Sequence, residues 1–557
     1  MDSQRLVLLF VFMFSVFMLL DAWQRDQQPP APPPAAPQSD KAQSAAPTPS
    51  PPADIPVPSE TLAQPPQATV PAERAAPAAG KTIEVETDLY IAHIGTEGGD
   101  LRRLQLKKHR DIVDKNKDFV LFEVTAERTY VAQAGLIGQG LPNHRTAFQA
   151  SADRYQLAPG QEALEVRLAA PVSGAVAVEK IYRFRRDSYL IDVTFEIANR
   201  GAAALQPYAY FQLVRDGKPP AGDSAMLPTF TGVGVYTEKE KFQKLTFEEV
   251  AKAKTPYPRN TNDGWIALIQ HYFFSAWLPK EGTPREFYTR QLGENLYSVG
   301  VIVPDGTINP GAKAAVTVPL YAGPQEQEKL SKIAPGLDLV IDYGWLTVIA
   351  VPLFWLLSWI HKLVGNWGVA IIILTVIIKL LFYPLSAASY RSMGKMRVLA
   401  PKLQRLKELY GDDRQRMQQA MMDLYKTEKI NPLGGCMPIL VQIPVFIALY
   451  WVLLASVELR HAPFMLWIDD LAAPDPWFIL PLLMAATMWI QTMLNPEPPD
   501  PVQAKVMKIM PIVFSVFFFF FPAGLVLYWL INNVLSIAQQ WQITRMMERE
   551  SAAARKS

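Results

Sequence analysis

Residues 366–391, NWGVAIIILTVIIKLLFYPLSAASYR, constrain this chain more than any other stretch. They are apolar for long enough to cross a bilayer as a helix, which takes roughly 20 residues. One full charge, Lys379, lies inside. Helical spacing from Lys379 places Gly368, Thr375, Tyr383 and Ser386 on its face, while Ile, Leu, Val and Phe fill the others. A lysine in a span costs about 2.5–3.5 kcal/mol on insertion scales. It either reaches for the headgroups along its alkyl stem or faces a wet cavity inside a helix bundle. The rest of the chain bears on that choice.

At 557 residues the chain has room for several domains. Its net charge of +2 implies no polyelectrolyte partner for the whole molecule, so charge effects must be local. Cys436 is the sole cysteine, which excludes an internal disulfide and a metal or redox site built on cysteines. It reads as a small packed residue.

Taken in order, residues 6–20 are apolar and follow Arg5, without a good cleavage site at Asp21-Ala22-Trp23. An uncleaved anchor over 1–24 is expected, N-terminus inside. Residues 25–80 are rich in Pro, Ala, Gln and Ser, with 16 prolines from 27 onward. They cannot bury enough apolar surface to offset ordering and are expected to be an extended tether. Over 81–325 short alternating runs recur, such as Leu190-Ile191-Asp192-Val193-Thr194-Phe195-Glu196-Ile197, broken by turns such as Glu97-Gly98-Gly99-Asp100. This is the pattern of an antiparallel β-sandwich with many strands. Its histidines, His93, His109, His144 and His271, share no metal-ligand spacing, and no catalytic constellation stands out.

Residues 344–364 are apolar, with Pro352 in the middle and tryptophans at 345, 355 and 359. The anchor puts the β domain outside, and the basic region after Ser386 belongs inside, so a single crossing fits between them. The segment 365–386 is the better span. That leaves 344–364 lying along the outer interface, where tryptophan is favoured. Residues 387–430 carry ten lysines and arginines, with Met393, Met396, Leu399, Leu403, Leu406 and Tyr410 at helical spacing. A stop at Gly411-Asp412-Asp413 and a second period through Met417, Met421, Leu424 and Tyr425 predict a helical hairpin in the cytosol. It is either self-packed and solvated or an adaptable methionine surface for an apolar client or the ribosome. Four further spans are expected within 437–541, followed by a basic cytoplasmic tail at 542–557. The acidic loop 457–476 belongs outside and the linker Asn495–Pro501 inside.

With this topology, Lys379, Gln442, Gln491, Asn532, Asn533 and Ser536 fall in the middle or inner half of the membrane, and Ser515 nearer the outer side. A groove wet toward the cytosol and dry toward the outside follows. Some of these side chains must instead bond helix to helix. Side chains tilt toward a helix N-terminus, which aims Lys379 at the membrane centre and works against its reaching the cytosolic headgroups.

The stretches Asn431-Pro432-Leu433-Gly434-Gly435-Cys436-Met437-Pro438, Met396-Arg397-Val398-Leu399-Ala400-Pro401-Lys402 and Phe521-Pro522-Ala523-Gly524-Leu525-Val526-Leu527-Tyr528 resemble the YidC/Oxa/Alb family of membrane insertases. The likeness covers 344–545, and the anchor, tether and β domain are similar to the family's Gram-negative form. It implies a multi-pass protein of the bacterial inner membrane with six spans, five forming the core. Both termini would be cytoplasmic and residues 25–343 periplasmic, folded as an all-β supersandwich like that of sugar mutarotases. Fold does not carry that chemistry with it. The resemblance implies insertion and folding of nascent integral membrane proteins, alone or with the Sec translocon. Partners would be the ribosome, the signal recognition particle machinery and membrane lipids. It implies no cofactor, no metal, no enzyme activity and no specific nucleic-acid site. The groove charge would be Lys379, where the family commonly has arginine. The change matters because an ammonium can lose its proton and a guanidinium does not. Groove polar residues would be Thr375, Gln442, Gln491, Ser515, Asn532 and Asn533. The family's client-helix contacts map onto Thr375, Phe446, Met484, Phe517 and Trp529, the last at a place where tyrosine is common. A solute transporter using Lys379 is the alternative, although no internal repeat is evident. So is a membrane-anchored carbohydrate-binding protein, which would need paired carboxylates or a histidine facing a pocket; a β-domain pocket holding a histidine with a carboxylate would support it.

Overall fold

The computed structural model describes residues 81–554 except 173, 222–228, 411–412, 429–436 and 495–500. The anchor and tether expected over 1–80, Cys436, most of Asn431–Pro438 and the inner linker at 495–500 lie outside the described residues. Two compact units emerge, divided at Gly344/Trp345, with Ala455–Glu458 grouped with the first.

The first unit is a β-sandwich of a 10-stranded and a 9-stranded sheet. Pairing is antiparallel apart from the edge pair Thr82–Glu86 with Arg154–Gln156. The alternation in Leu190–Asn199 is an alternation of burial: Ile191, Val193, Phe195 and Ile197 face the core, Thr194 and Glu196 do not. Phe195 of one sheet lies 6.1 Å from Phe211 of the other, and Phe211 lies 5.2 Å from Trp277. Strand Tyr208–Asp216 is buried along its whole length, so both its faces are covered.

A polar chain threads this interior. Lys180 Nζ donates to the carbonyls of Gly98 and Ala134, each at 3.0 Å, and sits 3.5 Å from Asp100. Gln133 bonds Asp100 at 2.9 Å, and Gln212 bonds Gln133 at 2.9 Å. Tyr288 and Ser298 both donate to Gln212 Oε1 at 3.0 Å. Burial pushes the Lys180 ammonium down to about 8 and the Asp100 carboxyl up. The turn that presents Asp100 requires its glycine. Gly98 has φ 75°, and a Cβ there would stand 2.3 Å from the His144 carbonyl.

The second unit is helical. We label its helices α1 (Thr347–Val364), α2 (Trp367–Leu381), α3 (Tyr383–Tyr410), α4 (Arg414–Thr427), α5 (Met437–Ala455), α6 (Ile479–Leu494), α7 (Pro501–Phe517) and α8 (Ala523–Ala554). Helix α1 buries Ala350, Phe354, Leu357 and Ile360 and leaves Val348, Trp355, Trp359 and Leu363 exposed on the other side. Gly365, in the left-handed region, ends it. Asn366 caps α2 by accepting from the Val369 N–H at 3.0 Å.

The expected span 365–386 is not one straight helix. α2 stops at Leu381, and the chain bends by 64° into α3. Pro384 explains the break, because it lacks an N–H and its ring clashes with the carbonyl four residues back. The hairpin expected from 387 therefore begins earlier, within a helix that starts at Tyr383. Asp413 caps α4 through the Arg416 N–H at 3.1 Å, and Lys402 pairs with Glu428 at 2.6 Å across the hairpin.

Among the described residues, Gly344–Val364 is the helix long and apolar enough to cross a membrane by itself, joined by the bent pair Trp367–Leu381 and Tyr383–Gly394 if that counts as one span. Shorter apolar helices run over Val441–Ala455, Ile479–Leu494 and Lys508–Phe520. The structure thus has a β-sandwich and a helical C-terminal region; among the described residues, which exclude the expected anchor, length and composition do not confirm six spans.

Candidate functional site

Four helices and the start of a fifth surround a pocket of about 300 Å³. α2 contributes Lys379, α3 Ser386, Ser389, Tyr390 and Met393, α5 Gln442, Ile443 and Phe446, and α6 Gln491. α8 contributes Tyr528, Trp529, Asn532, Asn533 and Ser536, which recur every three or four residues and so share one helical face. Among the described residues, Lys379 is the single charge in the lining.

That lysine is 6% exposed. Its Nζ donates to Ser536 Oγ at 2.8 Å, and Ser536 in turn donates to the Asn532 carbonyl at 2.8 Å. Among the described residues no carboxylate is ion-paired with it. Gln442 Nε2 donates to Asn532 Oδ1 at 3.0 Å, tying α5 to α8. Gln540 Nε2 reaches the Leu494 carbonyl at 3.1 Å, tying α8 to α6. Beside this polar ladder stands an aromatic wall. Phe446 meets Trp529 edge-on at 4.5 Å and stacks with Tyr528 at 5.7 Å, and Phe518 lies 4.9 Å from Trp529.

The fold brings together Lys379, Gln442, Gln491, Asn532, Asn533, Phe446 and Trp529 from the residues singled out in the sequence. It does not bring Thr375, Ser515, Met484 or Phe517 into the lining. Thr375 lies one turn before Lys379, buried, with its hydroxyl donating to the Ile371 carbonyl at 2.6 Å. Ser515 and Met484 are buried elsewhere, and Phe517 is exposed at the end of α7. Ser389, Tyr390, Met393, Ile443 and Tyr528 were missed. The first three belonged to the expected cytosolic hairpin, and the bend at Pro384 returns them to the pocket. Ser386 lies in the lining and Tyr383 does not, because the straight-helix spacing ends where α2 stops at Leu381.

The β unit has a pocket of about 430 Å³. Its lining includes the carboxylates Glu238, Asp263 and Glu281 and, among the described residues, no histidine to pair with them. Two of its loops are held by Arg285, which donates to the carbonyls of Thr283, Gly264, Pro279, Asn262 and Lys280. Among the described residues no group of three His, Cys, Asp or Glu side chains is placed to hold a metal.

A pocket with a buried lysine in a helical unit, carried in one chain with a β-sandwich, defines a two-part protein. Residues 359–550 match the model of the 60Kd inner membrane protein family, and residues 82–356 match that of the YidC periplasmic domain. The membrane protein insertase YidC of Nitrosospira multiformis is 59% identical over 561 residues, covering 99% of this chain and 98% of that protein. That of Methylobacillus flagellatus is also 59% identical, covering 99% of each. The crystal structure of an active YidC insertase with its first transmembrane domain resolved aligns with 83% of this chain and 92% of its own, at 19% identity and a TM-score of 0.39. The chain belongs to the YidC family.

Proposed function

We infer that this protein inserts integral membrane proteins into the bacterial inner membrane and helps them fold, with the pocket around Lys379 as the point where a client's polar segment enters. The observation that carries this reading is a lysine buried against a hydroxyl, with no carboxylate paired to it among the described residues. An acidic client tail would supply the missing counter-charge. Carrying an aspartate to mid-membrane costs about 2.5–3.5 kcal/mol. An ammonium at about 4 Å returns roughly 4 kcal/mol at an effective dielectric constant of 20. The two are comparable, so one lysine offsets about one acidic residue. The client's apolar part then leaves along Phe446 and Trp529 toward exposed Phe517 into lipid, driven by burial of apolar surface at about 25 cal/mol per Å². Neither covalent chemistry nor a nucleotide is required.

In this reading 1–24 is an anchor, 25–343 is periplasmic, and both termini are cytoplasmic. Helix α1 lies on the outer interface with its exposed tryptophans in the headgroups. The bent α2, with α5, α6, α7 and α8, makes five core spans. The basic hairpin of α3 and α4 faces the cytosol, where the ribosome and signal recognition particle deliver clients, and the Sec translocon is a partner in the membrane. Site-specific photocrosslinking tests the core of this. A photoreactive residue at Phe446 should form an adduct with a small membrane protein during its translation, and one at exposed Trp345 should not. Equal or absent adducts at the two positions would overturn the reading.

A further inference from the structure

Residues 459–478, between α5 and α6, form a compact hydrogen-bonded segment rather than an open loop. Asp470 closes it on itself. Its carboxylate accepts from the His461 N–H at 2.9 Å and the Ala472 N–H at 2.9 Å, and it pairs with His461 Nδ1 at 2.9 Å. Leu471 N–H donates to the Ala462 carbonyl at 3.0 Å, and Phe464 N–H to that of Ile468 at 2.9 Å.

This segment then fastens the N-terminal ends of three pocket helices. On α2, the Asn366 side chain faces both ways: its oxygen caps the helix, and its amide donates to the carbonyls of Phe464 at 2.8 Å and Pro463 at 3.4 Å. Phe464 lies so close over Gly368 that a Cβ there would stand 2.1 Å from its ring. On α6, buried Asp475 accepts from the Leu480 N–H at 2.7 Å, the Trp477 N–H at 3.0 Å and Trp467 Nε1 at 2.9 Å. On α8, the Ala523 and Gly524 N–H groups donate to the carbonyls of Ala473 at 2.7 Å and Leu471 at 2.9 Å. Helix-end N–H groups normally need such partners; here one segment supplies them to α6 and α8, and holds α2 through the amide of its capping residue. The fourth, α5, ends at Ala455, three residues before it.

We propose that 459–478 is the seal over the outer end of the helical unit, and that Asn366 is a positioning residue fixing the helix of Lys379 to that seal. The inference rests on the orientation given under Proposed function. At 1.5 Å per residue, Lys379 lies about 20 Å along α2 from Asn366, and Asn532 about 12 Å along α8 from Gly524. The layer between holds Ile371, Leu374 and Met484, all fully buried. The seal sets where the wet pocket stops, and it keeps the three helix ends in fixed register.

The test uses the full chain in sealed right-side-out vesicles, with Cys436→Ser and a reporter Ile371→Cys in the dry layer. A membrane-impermeant maleimide added outside should label the parent slowly. Asn366→Asp keeps the capping oxygen but loses the amide that reaches Phe464 and Pro463. Gly368→Leu keeps every hydrogen-bonding group and displaces Phe464. Each should raise the labelling rate about tenfold, the equilibrium value of one buried hydrogen-bonded contact, and lower client insertion at unchanged protein level. If Asn366→Asp labels as slowly as the parent, Asn366 is a helix cap alone and the proposal fails. Trp477→Cys, exposed on the same segment, reports orientation: labelling only from outside is expected. Labelling only from inside would overturn the orientation, and the proposal with it, independently of how tight the seal is.

Discussion

Lys379 stands beside a hydroxyl while its helix is otherwise mostly Ile, Leu and Val, so the charge rather than the shape of its side chain should matter. Lys379→Arg should retain insertion. Lys379→Ala should lower insertion of a client with an acidic outer tail by about tenfold and barely affect the same client with the acids removed. Lys379→Glu should be worse for the acidic client. Equal insertion by all of these would return Lys379 to the headgroups.

Two residues of the sandwich make separate predictions. Removing Lys180 alone would leave Asp100 buried without its cation, so Lys180→Ala should destabilise the β unit by about 3–5 kcal/mol in denaturant unfolding. Asp305 is the opposite case. Burial pushes its carboxyl up to about 6, and its Oδ2 has no hydrogen-bond partner. A carboxyl raised in the folded state is a cost that is fully present above pH 6 and disappears as pH falls toward its unfolded value near 3.8. Asp305→Asn should therefore stabilise the unit at pH 7.5 by about 1 kcal/mol, the full shift being discounted for its partial exposure. At pH 4 the substitution should have no effect. A gain of the same size at both pH values would mean that the charge is not the cause.

At the scale of elements, α3 serves two regions. Its first turns carry Ser386, Ser389, Tyr390 and Met393 into the pocket, and its remainder pairs with α4. Removing 396–428 behind a short flexible linker should cut insertion while the pocket helices still assemble, as judged by purification of a folded membrane unit. Ordinary insertion after that removal would show that the hairpin recruits nothing. Parts of this arrangement were legible in the sequence for a physical reason. Lys379, Gln442 and Asn532 stand out because polar groups are costly in hydrocarbon, and Leu190–Ile197 stands out because a half-buried strand must alternate. Tyr390 and Met393 were hidden by the bend at Pro384, whose angle depends on packing that the spacing does not encode. Thr375 looked like a groove residue, but its hydroxyl is occupied by its own helix. Arg285 left no trace because its partners are backbone carbonyls, which every residue has.

At the scale of the molecule, every residue lining the Lys379 pocket lies between 379 and 536, outside the sandwich. Deleting about 81–320 while keeping the anchor should leave insertion largely intact. A collapse of insertion with the helical unit still folded would show that the sandwich takes part in the transfer itself.

The lengths of three core helices carry a consequence for the lipid. α2, α6 and α7 have 15, 16 and 17 residues. At 1.5 Å per residue they reach about 22, 24 and 26 Å, against a hydrocarbon thickness of about 30 Å. If they cross the membrane as proposed, tilting would shorten their projection further, and the surrounding bilayer would thin by several ångströms to meet them. This hydrophobic mismatch shortens the distance a client's polar end has to travel. Insertion should therefore slow as acyl chains are lengthened in reconstituted vesicles, because thicker bilayers resist the deformation. A rate independent of chain length would mean that the helices extend at their ends instead.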